Sequence, residues 1–290
     1  MRFAIFGNTS LEKFSGKEAE IFRIAKKLGH EITTPKGYYE FLRHNSSSEI
    51  PCDFQFTGDS FQADAVISIG GDGTFLRTAA RIGSKSIPII GINQGRLGFL
   101  ADITMDMAES AMHCISEGRY QIEKRNLLEL HTSTIPEGHT PYALNDIAIL
   151  KHDISSMISI RTSVDGEQLT TYMADGLVIA TPTGSTAYSL SVGGPVIAPG
   201  TNVISLTPVA PHSLTMRPLI LQGSSTVSMT VESRSHNFLI SIDGLSFSCP
   251  DGVPMEIRQA PFQLNVIHPE GCSFFGTLRH KMMWGADTRN

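Results

Sequence analysis

Asp72 stands among small residues in the run Gly70-Gly71-Asp72-Gly73-Thr74. Glycine allows a positive φ and lets a phosphate group come close to backbone N–H groups. A carboxylate surrounded by such amides would repel the phosphate unless it also binds a metal ion or accepts a proton. The run therefore predicts a phosphate-binding loop made of Gly70, Gly71, Gly73 and Thr74. Asp72 is the residue of this loop that we expect to take part in the chemistry. The structural alternative is a tight turn in which Asp72 caps a helix.

The residues on either side of this loop have the pattern of a strand followed by a helix. Residues 65–69 form a short apolar, β-branched run, which is typical of a strand buried in a parallel sheet. After Thr74, the residues Phe75, Leu76 and Ala79 have helical spacing. Such a helix directs the positive end of its dipole toward a bound anion. The glycine spacing fits neither the P-loop nor the dinucleotide fingerprint, so this motif alone does not identify the ligand.

A second stretch, residues 175–195, also joins an apolar strand to small and hydroxylated residues. Its Tyr188 offers an aromatic face on which a base can stack, together with a hydroxyl group. Upstream, Asn145 and Asp146 set an amide beside a carboxylate; an amide can pair with an adenine edge, and a carboxylate can accept both hydroxyls of a ribose diol. The structural alternatives are a turn at Asn145-Asp146 and a serine-rich loop at residues 183–191.

The pattern of the whole chain divides it into two parts. Before residue 122, buried strands alternate with helical segments, which predicts a doubly wound parallel sheet of the α/β class. Residues 35–62 show no period, and we expect them to be irregular. Beyond residue 122 alternating strands dominate, and Asp165-Gly166 predicts a hairpin turn. We expect an α/β domain over residues 1–122, a β-rich domain over residues 123–269, and a tail, residues 270–290, that packs back on the first domain.

The bulk composition excludes several classes of function. The chain has 290 residues, of which 41% are hydrophobic and 18% are charged, and its net charge is −5. This balance argues against a nucleic-acid partner and against an anionic membrane surface. The four cysteines, Cys52, Cys114, Cys249 and Cys272, form no C-x-x-C pair, and no apolar run approaches the length of a membrane span. We therefore expect a cytoplasmic protein with reduced thiols and no zinc site.

Taken together, these motifs closely resemble the NAD kinase family, and the resemblance covers residues 1–285. Outside the stretches above, the matching residues are Asn93 and the seven that follow it, Pro211-His212-Ser213-Leu214, Arg217-Pro218, Phe275, Leu278-Arg279, Lys281 and Trp284-Gly285. The resemblance implies an N-terminal α/β domain and a C-terminal β-sandwich domain. It also implies transfer of the γ-phosphate of ATP to the 2′-hydroxyl of the adenosine ribose of NAD, with a divalent cation, for which we expect Mg²⁺. A homodimer or homotetramer is implied as well.

The resemblance also assigns roles to single residues. Asp72 would be the general base, although it could instead hold Mg²⁺, and Gly73 would lie against the dinucleotide. Phe99 would flank the adenine, Asn145 would read it, and Asp146 would hold a ribose diol. The residues implied for the second half of the nucleotide and its pocket are Asp175, Thr186, Ala187, Tyr188, Ser189, Leu190, Ser191 and Ala210. No protein side chain is identified as a metal ligand with equal support.

Other residues and other functions leave alternatives open. Arg77, one helical turn beyond the glycine loop, could meet a phosphate or could lie on a solvated helix face. Lipid kinases and phosphofructokinases share a similar glycine-aspartate loop, but no basic amphipathic helix or apolar anchor favours a lipid substrate. A dinucleotide sensor without activity would not need Asp72. Met173 stands where some family members carry a basic residue, so the preference for NAD or NADH stays open, as does the choice of ATP or polyphosphate as donor.

Overall fold

The computed structural model describes residues 1–9, 16–46, 48–95, 98–153 and 156–285. Of the residues that carry the family resemblance, Arg96 and Leu97 lie outside the described residues. The chain forms two compact units, one made of residues 1–124 and 264–290 and the other of residues 125–263.

The described elements alternate strands and helices at first and then run largely as strands. The first third contains β1 (Arg2–Gly7), α1 (Lys17–Lys27), β2 (Glu31–Pro35), α2 (Lys36–Asn45), β3 (Phe54–Phe56), β4 (Ala65–Ile69), α3 (Asp72–Ile82), β5 (Ile89–Asn93), β6 (Ile103–Thr104) and α4 (Ala108–Ser116). The remainder contains β7 (Tyr120–His131), β8 (Tyr142–Ala143), β9 (Asp146–Lys151), β10 (Ile158–Val164), β11 (Glu167–Ala174), β12 (Gly176–Ala180), α5 (Tyr188–Ser191), β13 (Val203–Val209), β14 (Leu219–Gln222), β15 (Val227–Glu232), β16 (Asn237–Ile242), β17 (Leu245–Pro250), β18 (Met255–Pro269) and α6 (Phe274–Met282).

The first unit is built on a parallel sheet with the strand order β3-β2-β1-β4-β5. Val66 of β4 lies opposite both Ala4 of β1 and Ile89 of β5, which sets the register at the centre of the sheet. β6 and the end of β18 also run parallel to β5. The strand order reverses between β1 and β4, and in doubly wound sheets ligands bind at the carboxyl ends of the strands beside such a reversal. The predicted α/β fold is confirmed, and the glycine loop after β4 lies at this position.

Burial explains why the central strands of this sheet have no polar face. All five residues of β4 and all five of β5 are buried, as expected of parallel strands whose two faces are both covered. On α1, Ala19, Phe22 and Ala25 are buried at helical spacing, while Lys26 and Lys27 lie in the last turn. Positive charge in the last turn favours the negative end of the helix dipole.

The segment 35–62 departs from the prediction made for it. It contains the ten-residue helix α2 and the short edge strand β3, so the expectation of irregular structure throughout is wrong. Within α2 only Tyr38 and Leu42 are buried, four residues apart on one face. Tyr39 and Phe41 pack partly buried against the same core, so the apolar residues of α2 are confined to little more than one helical turn.

The second unit is a β-sandwich. Among its described residues, six strands pair antiparallel in the order β14-β13-β12-β9-β16-β17, and a second set runs β11-β10-β15-β18. Side chains from both sets, such as Ile149 of β9 and Ile160 of β10, share one apolar core. The predicted hairpin between β10 and β11 is confirmed, since Asp165 and Gly166 have φ values of 53° and 84°. Positive φ at both central residues is the signature of a type I′ turn.

Gly91 in β5 packs against the backbone of Leu100 and Ala101, and the space between them is too small for a side chain. A Cβ on Gly91 would lie 2.7 Å from the Cα of Ala101 and 2.9 Å from the carbonyl oxygen of Leu100. We expect Gly91→Ala to lower the free energy of unfolding by about 1–3 kcal/mol, because backbone atoms must move. Urea denaturation followed by circular dichroism measures this change.

The matched control for this substitution is Gly37→Ala. A Cβ on Gly37 would meet nothing within 4 Å, and the residue lies in α2. Alanine there should leave stability unchanged or raise it by up to about 1 kcal/mol. Equal stability of the two variants would contradict the tight contact at Gly91.

Candidate active site

The glycine loop joins β4 to α3 and presents the start of that helix. The amide of Gly70 donates to the carbonyl oxygen of Ile92 at 2.9 Å, which ties the loop to β5. Gly71 is the N-cap residue, and α3 begins at Asp72, two residues earlier than the sequence pattern indicates. The alternative in which Asp72 caps the helix is therefore wrong. The first N–H groups of a helix have no partner within it, so those at the start of α3 are suited to bind an anion.

The Asp72 carboxylate is held by a row of backbone amides. Its Oδ1 accepts from the amides of Leu100 and Ala101, each at 3.0 Å, and its Oδ2 accepts from the amide of Phe99 at 3.0 Å. The Asp72 side chain is 32% exposed to solvent. The carboxylate at the start of α3 thus turns toward residues 99–101.

The segment that holds Asp72 is itself fixed by close contacts. A Cβ on Gly98 would collide with Oδ1 of Asp72, so only glycine fits at that position. The Asn93 side chain donates to the carbonyl oxygen of Ala101 at 3.2 Å and accepts from the amide of Gly95 at 2.7 Å. The amide of Gly98 also donates to Ala101, at 3.1 Å. These contacts explain why Asn93, at the end of β5, is followed by Gly95 and Gly98.

A basic side chain from α6 reaches the same carboxylate. The Nζ atom of Lys281 lies 3.5 Å from Oδ2 of Asp72 and 4.6 Å from the centre of the Phe99 ring. Phe99 also lies near Phe274, with ring centroids 6.3 Å apart. The ring that the sequence assigns to adenine is thus covered by an ammonium group in this structure.

Arg77 lies over the glycine loop from one turn further along α3. Its Nη2 donates to Oγ1 of Thr74 at 3.3 Å, and a Cβ on Gly73 would lie 3.7 Å from its Nη1. The guanidinium therefore lies beside the loop, on an exposed part of α3.

In the second unit, the Asn145-Asp146 pair is organised by a third residue, Asp243. The Asp243 carboxylate accepts from the amides of Leu144, Asn145 and Asp146 at 2.8, 2.8 and 3.1 Å. Asp243 has a φ of 48° in the turn between β16 and β17, a conformation that aspartate tolerates better than most residues. Asp243 thus fixes the backbone from which the two candidate ligand-binding side chains project.

Both polar side chains of this pair are buried. Asn145 is 8% exposed, and within the described part of the chain its Oδ1 atom has no hydrogen-bond partner. Asp146 is 6% exposed. Burial, together with repulsion from the Asp243 carboxylate, raises the pKa of Asp146 to about 7, against the opposing effect of the Tyr188 amide. Burial also raises the pKa of Asp243, while the three amides it accepts lower it.

Tyr188 lies close to both Asp146 and Asp175. Burial and the negative charges of Asp146 and Asp175 raise the pKa of the Tyr188 hydroxyl. Asp175 forms an ion pair with Lys151, whose Nζ lies 2.8 Å from Oδ1. The structure thus brings Tyr188 near Asp146 and near Asp175, and it shows Lys151 as the ion-pair partner of Asp175.

The remaining candidates around α5 differ in how accessible they are. Ser189 is 0% exposed, and its hydroxyl lies 3.1 Å from that of Thr207, so its side chain serves the interior of the fold. Ser191 is exposed, and the other candidates of this stretch are partly exposed, namely Thr186, Ala187 and Leu190. Ala210 follows the residue whose carbonyl accepts from the Asp175 amide, and it has a φ of 43°. A positive φ is strained for alanine and is often associated with functional positions.

Three residues of these clusters escaped the sequence analysis as functional groups: Asp243, Lys151 and Lys281. The Asp243-Gly244 dipeptide is a turn signal, but its hydrogen bonds reach back 97 to 99 residues, which no local pattern shows. Within the described residues, no three histidine, cysteine, aspartate or glutamate side chains are grouped so that they could hold a metal ion. Over the same residues no helix is both long and apolar enough to cross a membrane.

Comparison with known proteins bears directly on this site. A model of the ATP-NAD kinase N-terminal domain matches residues 8–120, and a model of the ATP-NAD kinase C-terminal domain matches residues 144–268. The NAD kinase of Bacteroides fragilis is 51% identical over 289 residues, with 100% of each chain covered. Yeast NADH kinase in complex with NADH has a similar fold, with a TM-score of 0.86 at 24% identity over 99% of this chain and 89% of that one. An NAD kinase from Archaeoglobus fulgidus in complex with ATP gives a TM-score of 0.75 at 25% identity over 98% and 99%.

The fold, the glycine loop and these matches define a phosphotransferase that uses a nucleotide. The two family models together span most of the sequence, and the relative from Bacteroides fragilis matches it over its full length. The chain belongs to the NAD kinase family, whose members phosphorylate NAD with ATP. The family resemblance, the fold class and the kinase activity predicted from the sequence are thereby confirmed.

The raised pKa of Asp146 makes the stability of the fold depend on pH. The usual pKa of 3.8 rises to about 7 in the folded chain, so between these values the folded state keeps a proton that the unfolded chain has lost. The free energy of unfolding should therefore fall as the pH rises from about 4 to 7 and stay level above that range. In the Asp146→Asn variant, we expect the decrease in the free energy of unfolding with rising pH to be smaller by about 2–4 kcal/mol. Urea denaturation between pH 5 and 8 measures this difference.

The control for this experiment is Asp153→Asn, which removes an acidic side chain that is 44% exposed. It should keep the pH dependence of the unmodified protein. An identical pH dependence in the Asp146→Asn and Asp153→Asn variants would contradict the raised pKa of Asp146.

Proposed function

We propose that this chain transfers the γ-phosphoryl group of ATP to the 2′-hydroxyl of the adenosine ribose of NAD and so forms NADP. The observation that carries this proposal is the buried Asn145-Asp146 pair, with an amide oxygen that lacks a partner and a carboxylate next to it. An adenosine offers the matching donors, an exocyclic amino group and ribose hydroxyls. The structural relatives crystallised with NADH and with ATP support this choice of ligands.

Asp72 is the general base of this reaction. A ribose hydroxyl is a poor nucleophile near neutral pH, so it needs a carboxylate within hydrogen-bond reach to take its proton. The amides at the start of α3 bind the phosphoryl group, with Arg77 beside them. Phosphoryl transfer needs little more than positioning and neutralisation of charge, and these groups supply both.

The divalent cation arrives with ATP as part of the substrate. Mg²⁺ keeps several waters and binds through phosphate oxygens with one or two carboxylates, rather than in a cage of protein side chains. When bound, the cation neutralises the phosphate charge that develops in the transfer.

The second half of the dinucleotide lies against the cluster around Tyr188. Asp175 with its partner Lys151, the partly exposed residues Thr186, Ala187 and Leu190, and the exposed residues Ser191 and Ala210 form the surface for it. Ser189 supports this surface from inside through Thr207.

The protein works as a homo-oligomer in the cytoplasm. The segment 211–218, which carries part of the family resemblance, presents Leu214 with 89% exposure. A leucine so fully exposed is suited to a protein–protein contact, and a second copy of the chain is the partner that the resemblance implies. Four free cysteines are consistent with a reducing compartment.

Asp72→Asn tests the general base. We expect kcat to fall by about 10²–10⁴-fold, because the amide cannot accept the proton, while NAD binding persists. The retained oxygen of asparagine can still accept from Leu100 and Ala101. NADP formation from NAD, ATP and Mg²⁺ gives the rate, and equilibrium dialysis with NAD gives the binding.

Asp106→Asn is the matched control, since Asp106 is an exposed aspartate of the same unit. Its turnover should equal that of the unmodified protein. Turnover by Asp72→Asn at the same rate would contradict the role of Asp72 as general base. NAD binding without turnover by the unmodified protein would favour the dinucleotide sensor.

Leu214→Glu tests the assembly. We expect sedimentation velocity at micromolar concentration to show a smaller species than the unmodified protein, because a charge replaces an apolar contact at the interface. Met107→Glu, at a side chain with 46% exposure in the other unit, should leave the assembly unchanged. Identical sedimentation of the two variants would place the interface elsewhere.

A further inference from the structure

The Asp72 carboxylate already accepts as many hydrogen bonds as it can. Its Oδ1 accepts from Leu100 and Ala101, and its Oδ2 accepts from Phe99 and from Lys281. An ionised carboxylate has about four lone-pair sites in total. A general base must offer one of them to the hydroxyl of the substrate, so one of these four donors has to leave during turnover.

Lys281 is the donor that can leave without disturbing the fold. The other three are backbone amides, and the carbonyl of Ala101 is tied to Asn93 and Gly98. The Lys281 side chain is flexible and 32% exposed. Its distance of 3.5 Å to Oδ2 exceeds the roughly 2.7–2.9 Å of a strong charge-assisted hydrogen bond.

The ammonium group stays in the site when it leaves the carboxylate. It lies 4.6 Å from the centre of the Phe99 ring, within the roughly 6 Å over which a cation is attracted to an aromatic face. The helix that carries it is anchored, because Ser273 caps its start and Thr277 and Leu278 are buried. The side chain can therefore move while its base remains in place.

We propose that Lys281 is a further catalytic residue, whose ammonium exchanges Asp72 for the transferred phosphoryl group. This inference rests on the proposed role of Asp72. In the step, the 2′-oxygen forms a bond to the γ-phosphorus while its proton passes to Oδ2 of Asp72. The bond from that phosphorus to the β–γ bridging oxygen breaks, and its electron pair leaves on ADP. Lys281 leaves Oδ2 before the proton passes, and during the transfer it donates to a non-bridging phosphoryl oxygen, where it neutralises negative charge.

Lys281→Ala with added n-propylamine tests the exchange, because this amine replaces the missing atoms from Cγ to Nζ. We expect kcat to fall about 100-fold and KM for NAD to stay within about threefold, since the contact is made in the transition state. Saturating n-propylammonium should restore kcat at least tenfold. Tetramethylammonium carries the same charge without an N–H donor and should restore nothing. Lys281→Arg should retain about a tenth of kcat, because a guanidinium also donates to phosphate.

His280→Ala is the matched control on α6, at an exposed neighbouring residue, and should keep full turnover. Full turnover by Lys281→Ala would overturn the proposal. So would lost turnover that n-propylammonium does not restore, together with a lowered thermal midpoint, since that result indicates a contact that only holds α6. Full turnover by Asp72→Asn would instead refute the general base, and a lack of NADP from the unmodified protein would refute the proposed function itself.

Discussion

The hydrogen bonds from three consecutive amides to the Asp72 carboxylate are the constraint on which the first unit's site depends. A carboxylate at the first position of α3 would otherwise extend into the space where the start of the helix attracts an anion. The amides of residues 99–101 draw it aside and fix it there. Gly98 and Gly91 follow from the same requirement, because the segment has to approach both Asp72 and β5 more closely than any side chain allows.

The second unit uses the same device with different residues. Asp243 accepts from the three consecutive amides of residues 144–146 and thereby sets the start of β9. In each unit one carboxylate thus orders a short backbone segment that contains candidate ligand contacts. Both carboxylates are partly exposed, and the difference lies in their surroundings: Asp72 lies at the start of α3, whereas Asp243 lies in the turn between β16 and β17, where burial raises its pKa. Asp72 therefore stands beside amides suited to bind an anion, while Asp243 positions the backbone of residues 144–146.

The sequence predicts the fold class and most of the candidate contacts because both leave local patterns. Buried strands next to glycine turns mark the loop at Asp72, and the hairpin at Asp165-Gly166 follows from its two residues alone. Contacts between distant residues leave no such pattern: Phe99 is 27 residues from Asp72, and Lys281 is 209 residues away. The helix α2 has a short apolar stripe, in which Tyr38 and Leu42 are buried and Tyr39 and Phe41 pack partly buried against the same core.

The first unit is assembled from two separated pieces of chain, residues 1–124 and 264–290. A ribosome adds residues in order, so the whole of the second unit is synthesised before β18 can pair with β5 through Val266 and Ile89. Contacts across so long an interval form slowly, because closing a long loop costs entropy before any pairing compensates for it. During synthesis β5 therefore lacks its β18 partner until Val266 has been added, and Lys281 can reach Asp72 only after that.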